Sequence, residues 1–581
     1  MEGAHMLERQ IRVAKGLEDA DLVLKHGKIV NVFTEDIQEG DVAVCEGMIV
    51  GIGSYRGRKE VDCTGKYIAP GFMDGHIHLE SSMMQPAEFA RTVLPHGTTA
   101  VFTDPHEIAN VCGTQGIDYM MRATEGLPLE VYFVLPSCVP AALLDESGAC
   151  LEAEELKPYY QSKRVVGLAE VMNYVGTVAG DMNVLKKIQE AVSQGKVVDG
   201  HAPGLGGKEL CAYLTAGVMS DHECATAEEG LERIRQGQWM MIREGTAAKN
   251  LEALMPLFER PYCEHAMLVT DDKHPGDLEK LGHIDYIIRK AVSLGADPCI
   301  AVKMATYNTA RYFGLKHLGA VAPSYQADLV VLSDLKQVQV EQVYKKGLLA
   351  ADRHNGCAVQ EPVVNSKLKE SVTHTFRMKR FTVEDFYLPV SRDRQPEKMR
   401  VIELHPGQIL TGEYITEYSS ASNGIDVQQD IIKLAVMERH LCTGHIGLGY
   451  VKNYGLKKGA IASSVAHDSH NLIVAGASEQ DMYTAAEAVR RMQGGWAIAL
   501  DGKVLEVLPL PIAGIMSDRP LREVEGQILK MKQIARELGV PEGIDPFMTL
   551  AFISLPVIPR LKLTTFGLVD TDSQEIVDAV F

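Results

Sequence analysis

The rhythm of apolar and polar positions changes near Gly71. Before it, β-type runs at 21–24, 28–32, 41–45 and 48–52 are separated by glycine-containing turns. That pattern predicts a small β-domain, too short to support a large core of its own. From 67 onward an apolar run ends in His76 and His78, one residue apart. Beyond it, strand-type and helix-type stretches alternate. Strands are expected at 98–103, 130–135, 165–170, 196–199, 217–220, 239–243 and 266–270. A helix is expected over 86–94 and another from about 183 to 194, which Gly195 ends. Asp297 and Pro298 open a further helix, as an N-cap followed by proline at the first helical position. With the strand that carries the histidines, the count is eight, which predicts a parallel (β/α)8 barrel.

After Leu315 the pattern returns to β character at 327–332 and 339–344, expected to complete the small domain begun at the N-terminus. The remainder predicts an α+β region. It holds a hairpin, 496–500 and 503–507, turned at Asp501-Gly502. It also holds a helix after Pro520 with Leu521, Val524, Ile528, Met531, Ala535 and Leu538 on one stripe and Gly539 at its end. The expected architecture is therefore α/β. A barrel over 69–317 is flanked by a composite β-sandwich domain built from 1–68 and 318–365, and an α+β domain follows over 366–581.

Composition narrows the partners. The 581 residues carry 58 basic and 77 acidic side chains, a net charge of −19. That argues against nucleic acid or an anionic membrane surface as partner. No apolar run reaches membrane-spanning length and the N-terminus has no signal-peptide core. The 11 cysteines form no C-x-x-C pair and read as reduced thiols of a cytoplasmic protein. The expected substrate is small and soluble. A homo-oligomer, a dimer in the simplest case, would cover the β-edges.

Candidate chemistry gathers where a barrel would place it, at the C-terminal ends of the strands. His76 and His78 close the first strand and share one face, because side chains two apart on a strand point the same way. Gly71 and Gly75 relieve crowding around the pair. Asp104, His106 and Glu107 follow the second strand, Glu170 closes the fourth, His201 and His222 follow the fifth and sixth, and Asp271 closes the eighth. Four imidazoles and two carboxylates suit two divalent ions. His76, His78 and Asp271 would hold one, His201 and His222 the other, and Glu170 would bridge them. Such a pair would bring the pKa of a trapped water toward neutrality. Asp271 would take the proton of that water and return it to a leaving group. This is hydrolysis of a C–N bond; the residues alone do not say which. Any of these groups alone reads as an ordinary polar loop residue or helix cap. Their convergence at strand ends is what favours a site.

The segment Pro-Gly-Phe-Met-Asp-Gly-His-Ile-His, ending at His78, follows a small β-domain and resembles the amidohydrolase superfamily. Further segments are similar to its adenine deaminase family. They are His-Leu-Glu-Ser-Ser-Met-Met from His78, Thr-Asp-Pro-His-Glu-Ile-Ala-Asn from Thr103, Leu-Ala-Glu-Val-Met-Asn from Leu168, Asp-Gly-His-Ala-Pro-Gly from Asp199, Ser-Asp-His-Glu from Ser220 and Val-Thr-Asp-Asp from Val269. Val-Ala-His-Asp-Ser-His-Asn from Val465 and Gly-Gly-Trp-Ala from Gly494 extend the likeness to nearly the whole chain. The resemblance implies adenine as substrate, hypoxanthine and ammonia as products, and a binuclear manganese(II) or iron(II) centre. Under it Asp271 is the proton shuttle, and Glu80 protonates or hydrogen-bonds a ring nitrogen. Ser81, His106 and Asp272 become substrate contacts.

Glu170 stands where many binuclear relatives carry a carboxylated lysine. That disfavours a cyclic amidohydrolase of the dihydroorotase or hydantoinase kind. A catalytically dead binding protein would have lost a ligand, and none is missing. Asn308 is followed by Thr309-Ala310, where many relatives have Pro-Ala. His467, Asp468, His470 and Asn471 suggest a second metal site, but a polar cluster packing the C-terminal domain on the barrel is the simpler expectation.

Overall fold

A computed structural model describes residues 2–142, 144–389 and 396–581. Eight parallel strands form the barrel: β1 (Phe72–Ile77), β2 (Thr98–Thr103), β3 (Glu130–Leu135), β4 (Val165–Val171), β5 (Val197–Gly200), β6 (Ser220–Asp221), β7 (Trp239–Arg243) and β8 (Ala266–Val269). Ladders join β1 through β5 in order and β6 through β8 in order. The two arcs meet where the Met219 N–H donates to the Val198 carbonyl at 2.9 Å. They meet again where Ile77 and Asp271 form a parallel bridge. β1, β2 and β4 are buried along their whole length, as strands wrapped by helices must be.

The expected helices are present. Pro86–Val93 and Met182–Ser193 follow β1 and β4. Pro298–Met304 starts as expected, with the Asp297 carboxylate accepting from the Cys299 and Ile300 N–H groups. Asn308 anchors the backbone nearby. Its side-chain amide donates to the carbonyls of Cys263 and Ala266, both at 2.7 Å, fixing the entry to β8.

Four local readings change. The shortest element is β6, expected at 217–220 and formed only by Ser220–Asp221. The apolar run from 67 is two strands, not one. Tyr67–Pro70 pairs with Leu329–Asp334 outside the barrel, and the chain enters β1 only after Gly71. A Cβ at Gly71 would collide with the Thr99 side chain, so the crossing needs glycine. The runs at 21–24 and 28–32 are one strand, Ala20–Asn31, with an irregular register between Leu24 and Gly27. A helix, Glu2–Ala14, precedes it without any strong signal in the pattern. Strands from both flanks of the barrel share one nine-stranded sheet.

The C-terminal region is built on an eight-stranded sheet. Its central strand Ile431–Met437 is wholly buried. Ile432, Leu434 and Val436 pack with Val524, Ile528 and Met531 of helix Leu521–Glu537. Ala435 and Met437 pack on the other face with Met482, Ala485 and Val489 of helix Glu479–Arg491. Alternation along one strand thus separates two cores. The hairpin forms, with Asp501 and Gly502 both at positive φ, 52° and 69°, as its two-residue turn requires.

Candidate metal centre

β1 ends with His76 and His78 facing the barrel axis, their rings 4.9 Å apart edge to face. Asp74, in the same motif, is not aimed at this group. Its carboxylate accepts from the Thr270 N–H at 3.0 Å and the Thr270 hydroxyl at 2.5 Å, tying β1 to the end of β8. Close approach of the two strands also explains Gly75, where a Cβ would lie 2.9 Å from the Met267 sulfur. Asp271 follows β8 with φ 61°, and its N–H donates to the His76 carbonyl at 2.9 Å. The turn places its carboxylate beside His78.

Glu170, at the end of β4, lies at the centre. Its Oε1 faces His78 Nε2 at 3.2 Å, His106 Nδ1 at 3.3 Å and His76 Nε2 at 4.0 Å. Its Oε2 faces His201 Nδ1 at 3.0 Å and His222 Nε2 at 3.3 Å. One carboxylate therefore addresses two groups of imidazoles. Asp271 Oδ1 is 3.2 Å from His78 Nε2 and 3.9 Å from His76 Nε2.

The donor set fits divalent ions. His201 Nδ1 and His222 Nε2 stand 3.1 Å apart, and both point at the same carboxylate oxygen. Both ring nitrogens of buried His76, and Nδ1 of His222, lack a hydrogen-bond partner. A buried imidazole with neither ring nitrogen paired, set among carboxylate oxygens and other imidazoles, fits a site that a cation completes. The donors are imidazole nitrogens and carboxylate oxygens, with no cysteine among them, a set that suits manganese, iron or zinc.

Electrostatics separates the groups. Burial, helped by the neighbouring His222, holds His76 well below the usual imidazole value, so it is neutral and able to ligate. Burial pushes Glu170 up, but hydrogen bonds with His201, His222 and His78 outweigh it and keep it ionised. Burial also opposes ionisation of Asp271, and the Arg243 guanidinium and His78 outweigh it. Burial raises the Glu80 carboxyl to about 7.

The six proposed ligands, His76, His78, Glu170, His201, His222 and Asp271, come together. His106 joins them on the Glu170 Oε1 side, its Nδ1 2.9 Å from Asp104 Oδ2, rather than standing apart as a substrate contact only. A cavity of about 220 Å³ opens above the group. Asp271, Asp272, His106 and Arg243 line it on the barrel side, and Ile409, Leu410, Phe552, Leu555 and Val557 supply an apolar wall from the C-terminal region. Glu80 and Ser81 line a smaller adjoining cavity that shares Glu107 and His467 with the first. The Ser81 hydroxyl donates to Asp272.

Two residues escaped the sequence reading. Arg243 closes β7 and donates to Asp271 Oδ2 at 2.6 Å and to Glu223 Oε1 at 2.5 Å. Glu223 faces His201 and His222 at 3.5 and 3.4 Å. The available signal was position, since Arg243 ends its strand as the ligands end theirs.

Comparison with known proteins gives two family models. The Amidohydrolase family matches residues 67–350, and the Adenine deaminase C-terminal domain matches 408–575. Adenine deaminase 2 of Carboxydothermus hydrogenoformans is 49% identical over 98% of this chain and 98% of its own length. The adenine deaminase of Desulfatibacillum aliphaticivorans is 45% identical over 97% of this chain and 98% of its own. Among solved structures, dihydropyrimidinase from Brevibacillus agri NCHU1002 aligns with a TM-score of 0.47 at 14% identity, covering 58% of this chain and 96% of that one.

Proposed function

Because the chain belongs to the adenine deaminase family, we propose that it hydrolyses adenine to hypoxanthine and ammonia. The observation that carries the reading is Glu170, whose two oxygens face separate imidazole groups under one cavity. His76, His78 and Asp271 would hold one divalent ion, His201 and His222 a second, and Glu170 would link them, with manganese(II) or iron(II) as the expected metals. Such ions supply an activated water at neutral pH and a field that stabilises negative charge.

The protein groups do the rest. Asp271 is ionised and pinned by Arg243, so it can accept a proton from the attacking water. It then delivers that proton to the departing C6 amino nitrogen, which leaves as ammonia. We assign the ring-nitrogen proton to Glu80, whose buried carboxyl holds its proton near neutrality and lines the adjoining cavity; the second proton of the water, released as the C6 oxygen becomes a carbonyl, returns to Glu80. Ser81, Asp272 and His106 are the polar contacts assigned to the purine. The apolar wall of Leu410, Phe552, Leu555 and Val557 suits the flat face of a heteroaromatic base. The net charge of −19 disfavours nucleic acid as a partner, and among the described residues no helix is long and apolar enough to cross a membrane. We also place the enzyme in the cytoplasm and expect a homodimer.

The test is an assay of the metal-loaded protein with adenine, adenosine and dihydroorotate side by side, following ammonia release. Turnover of adenine alone supports the reading. Ring opening of dihydroorotate with adenine untouched would replace it with a cyclic amidohydrolase.

A further inference from the structure

We infer that loop 465–471 of the C-terminal region belongs to the catalytic machinery, with His467 as a positioning residue that holds Glu107 and Asp272 at the barrel mouth. The inference rests on the function proposed above and extends it to residues outside the barrel.

The loop joins strands Ala460–Ser463 and Leu472–Gly476 and projects onto the C-terminal face of the barrel. His467 Nδ1 lies 2.8 Å from Glu107 Oε1, and its Nε2 lies 3.6 Å from Asp272 Oδ2. Its ring stacks on Phe552, centroids 4.2 Å apart and planes 16° from parallel. His470 Nε2 pairs with the other Glu107 oxygen. Asp468 Oδ1 comes within 3.7 Å of His106 Nε2. His467 thus spans both cavities, with Glu107 leading on to His106 and Asp272 to Ser81.

Two features separate this from simple packing. Asp468 and His470 both adopt left-handed backbone, φ 64° and 50°. Side chains there cost free energy and persist only where the surroundings impose them. The surroundings do so: the Asn471 amide donates to the Glu146 carbonyl at 2.7 Å, and the His467 N–H donates to the Ala551 carbonyl at 2.8 Å. His440 meets the Ser469 carbonyl at 2.7 Å, and the buried Arg439 guanidinium donates to that of His470. Second, the loop buries imidazoles against carboxylates, an arrangement that stabilises a fold weakly compared with apolar side chains of the same size. A strained loop that aims polar groups at the ligand-bearing strand ends is better accounted for by positioning.

The experiment compares wild-type holoenzyme with H467A, H467N and H467Q. It measures metal per chain, melting temperature, kcat and KM for adenine, and hydrogen exchange of the segments around Glu107 and Asp272. H467A is expected to keep its metal and to stay folded at a lower melting temperature, because Glu107 loses a buried partner, to lose about 10–100-fold in kcat with little change in KM when assayed well below its transition, and to exchange faster at those two segments. H467N places an amide donor near the Nδ1 position and should recover part of kcat. Unchanged kcat and exchange in H467A would overturn the inference. So would a kcat loss that merely tracks lost metal or unfolding at the assay temperature. Wild type inactive on adenine would instead remove the proposed function, and the exchange measurement would still decide whether His467 positions the two carboxylates.

Discussion

Two regions bring histidines and carboxylates to the same cavity by different means. In the barrel they sit at the ends of strands whose parallel ladders fix position residue by residue, so His76, Glu170 and Asp271 meet through regular backbone. In the C-terminal region, His467, Asp468 and His470 sit on a loop with two left-handed residues, and bonds from Arg439, His440 and Asn471 hold it. Regular structure supplies a geometry that many sequences can share. The loop's geometry depends on individual side chains and is easier to disturb without unfolding the chain.

The sharpest break between the regions should come from Glu170→Gln. Removing the charge that faces both imidazole groups should lower metal content below two per chain and abolish turnover, while the C-terminal sheet keeps its thermal transition. Metal analysis and calorimetry on one preparation check this. Asp271→Asn comes next. It leaves one oxygen for the proposed ion but removes the proposed proton acceptor, so kcat should fall by about 10²–10⁴-fold at a metal content closer to wild type.

Arg439→Met addresses the other region. Arg439 is wholly buried, stacks on Phe376 and donates to the His470 and Ala513 carbonyls. Its loss leaves acceptors unpaired, at about 1–3 kcal/mol each. The expected result is a lower melting temperature and faster hydrogen exchange at 465–471, with metal content unchanged. The smallest effect is expected from Ser81→Ala, which removes one hydrogen bond to a carboxylate, worth about 1.5–3 kcal/mol. A smaller fall in kcat/KM than for Asp271→Asn is expected, read by steady-state kinetics.

The barrel and the gathering of the proposed ligands at one end of it were legible because strand ends are marked twice, by an apolar run and by the polar residue that stops it. His201 and His222 are found that way. Arg243 carries the same mark, but an arginine at a strand end has many ordinary uses, and its partners Asp271 and Glu223 lie on other strands. The break at Gly71 was hidden because both strands are apolar, and only the contact with Thr99 separates them. The orientation of loop 465–471 depends on contacts with Glu107 and Glu146, more than 300 residues away in sequence. Local pattern carries no record of such contacts. The cluster was visible there as four polar residues, and its direction was not.

In the proposed function, Glu170 divides one site between two ions. The most direct test is to strip the protein of metal and titrate manganese(II) or iron(II) back while following adenine consumption. Activity is expected to rise until about two equivalents per chain are bound and then to level. Full activity at one equivalent, or activity indifferent to metal, would contradict it.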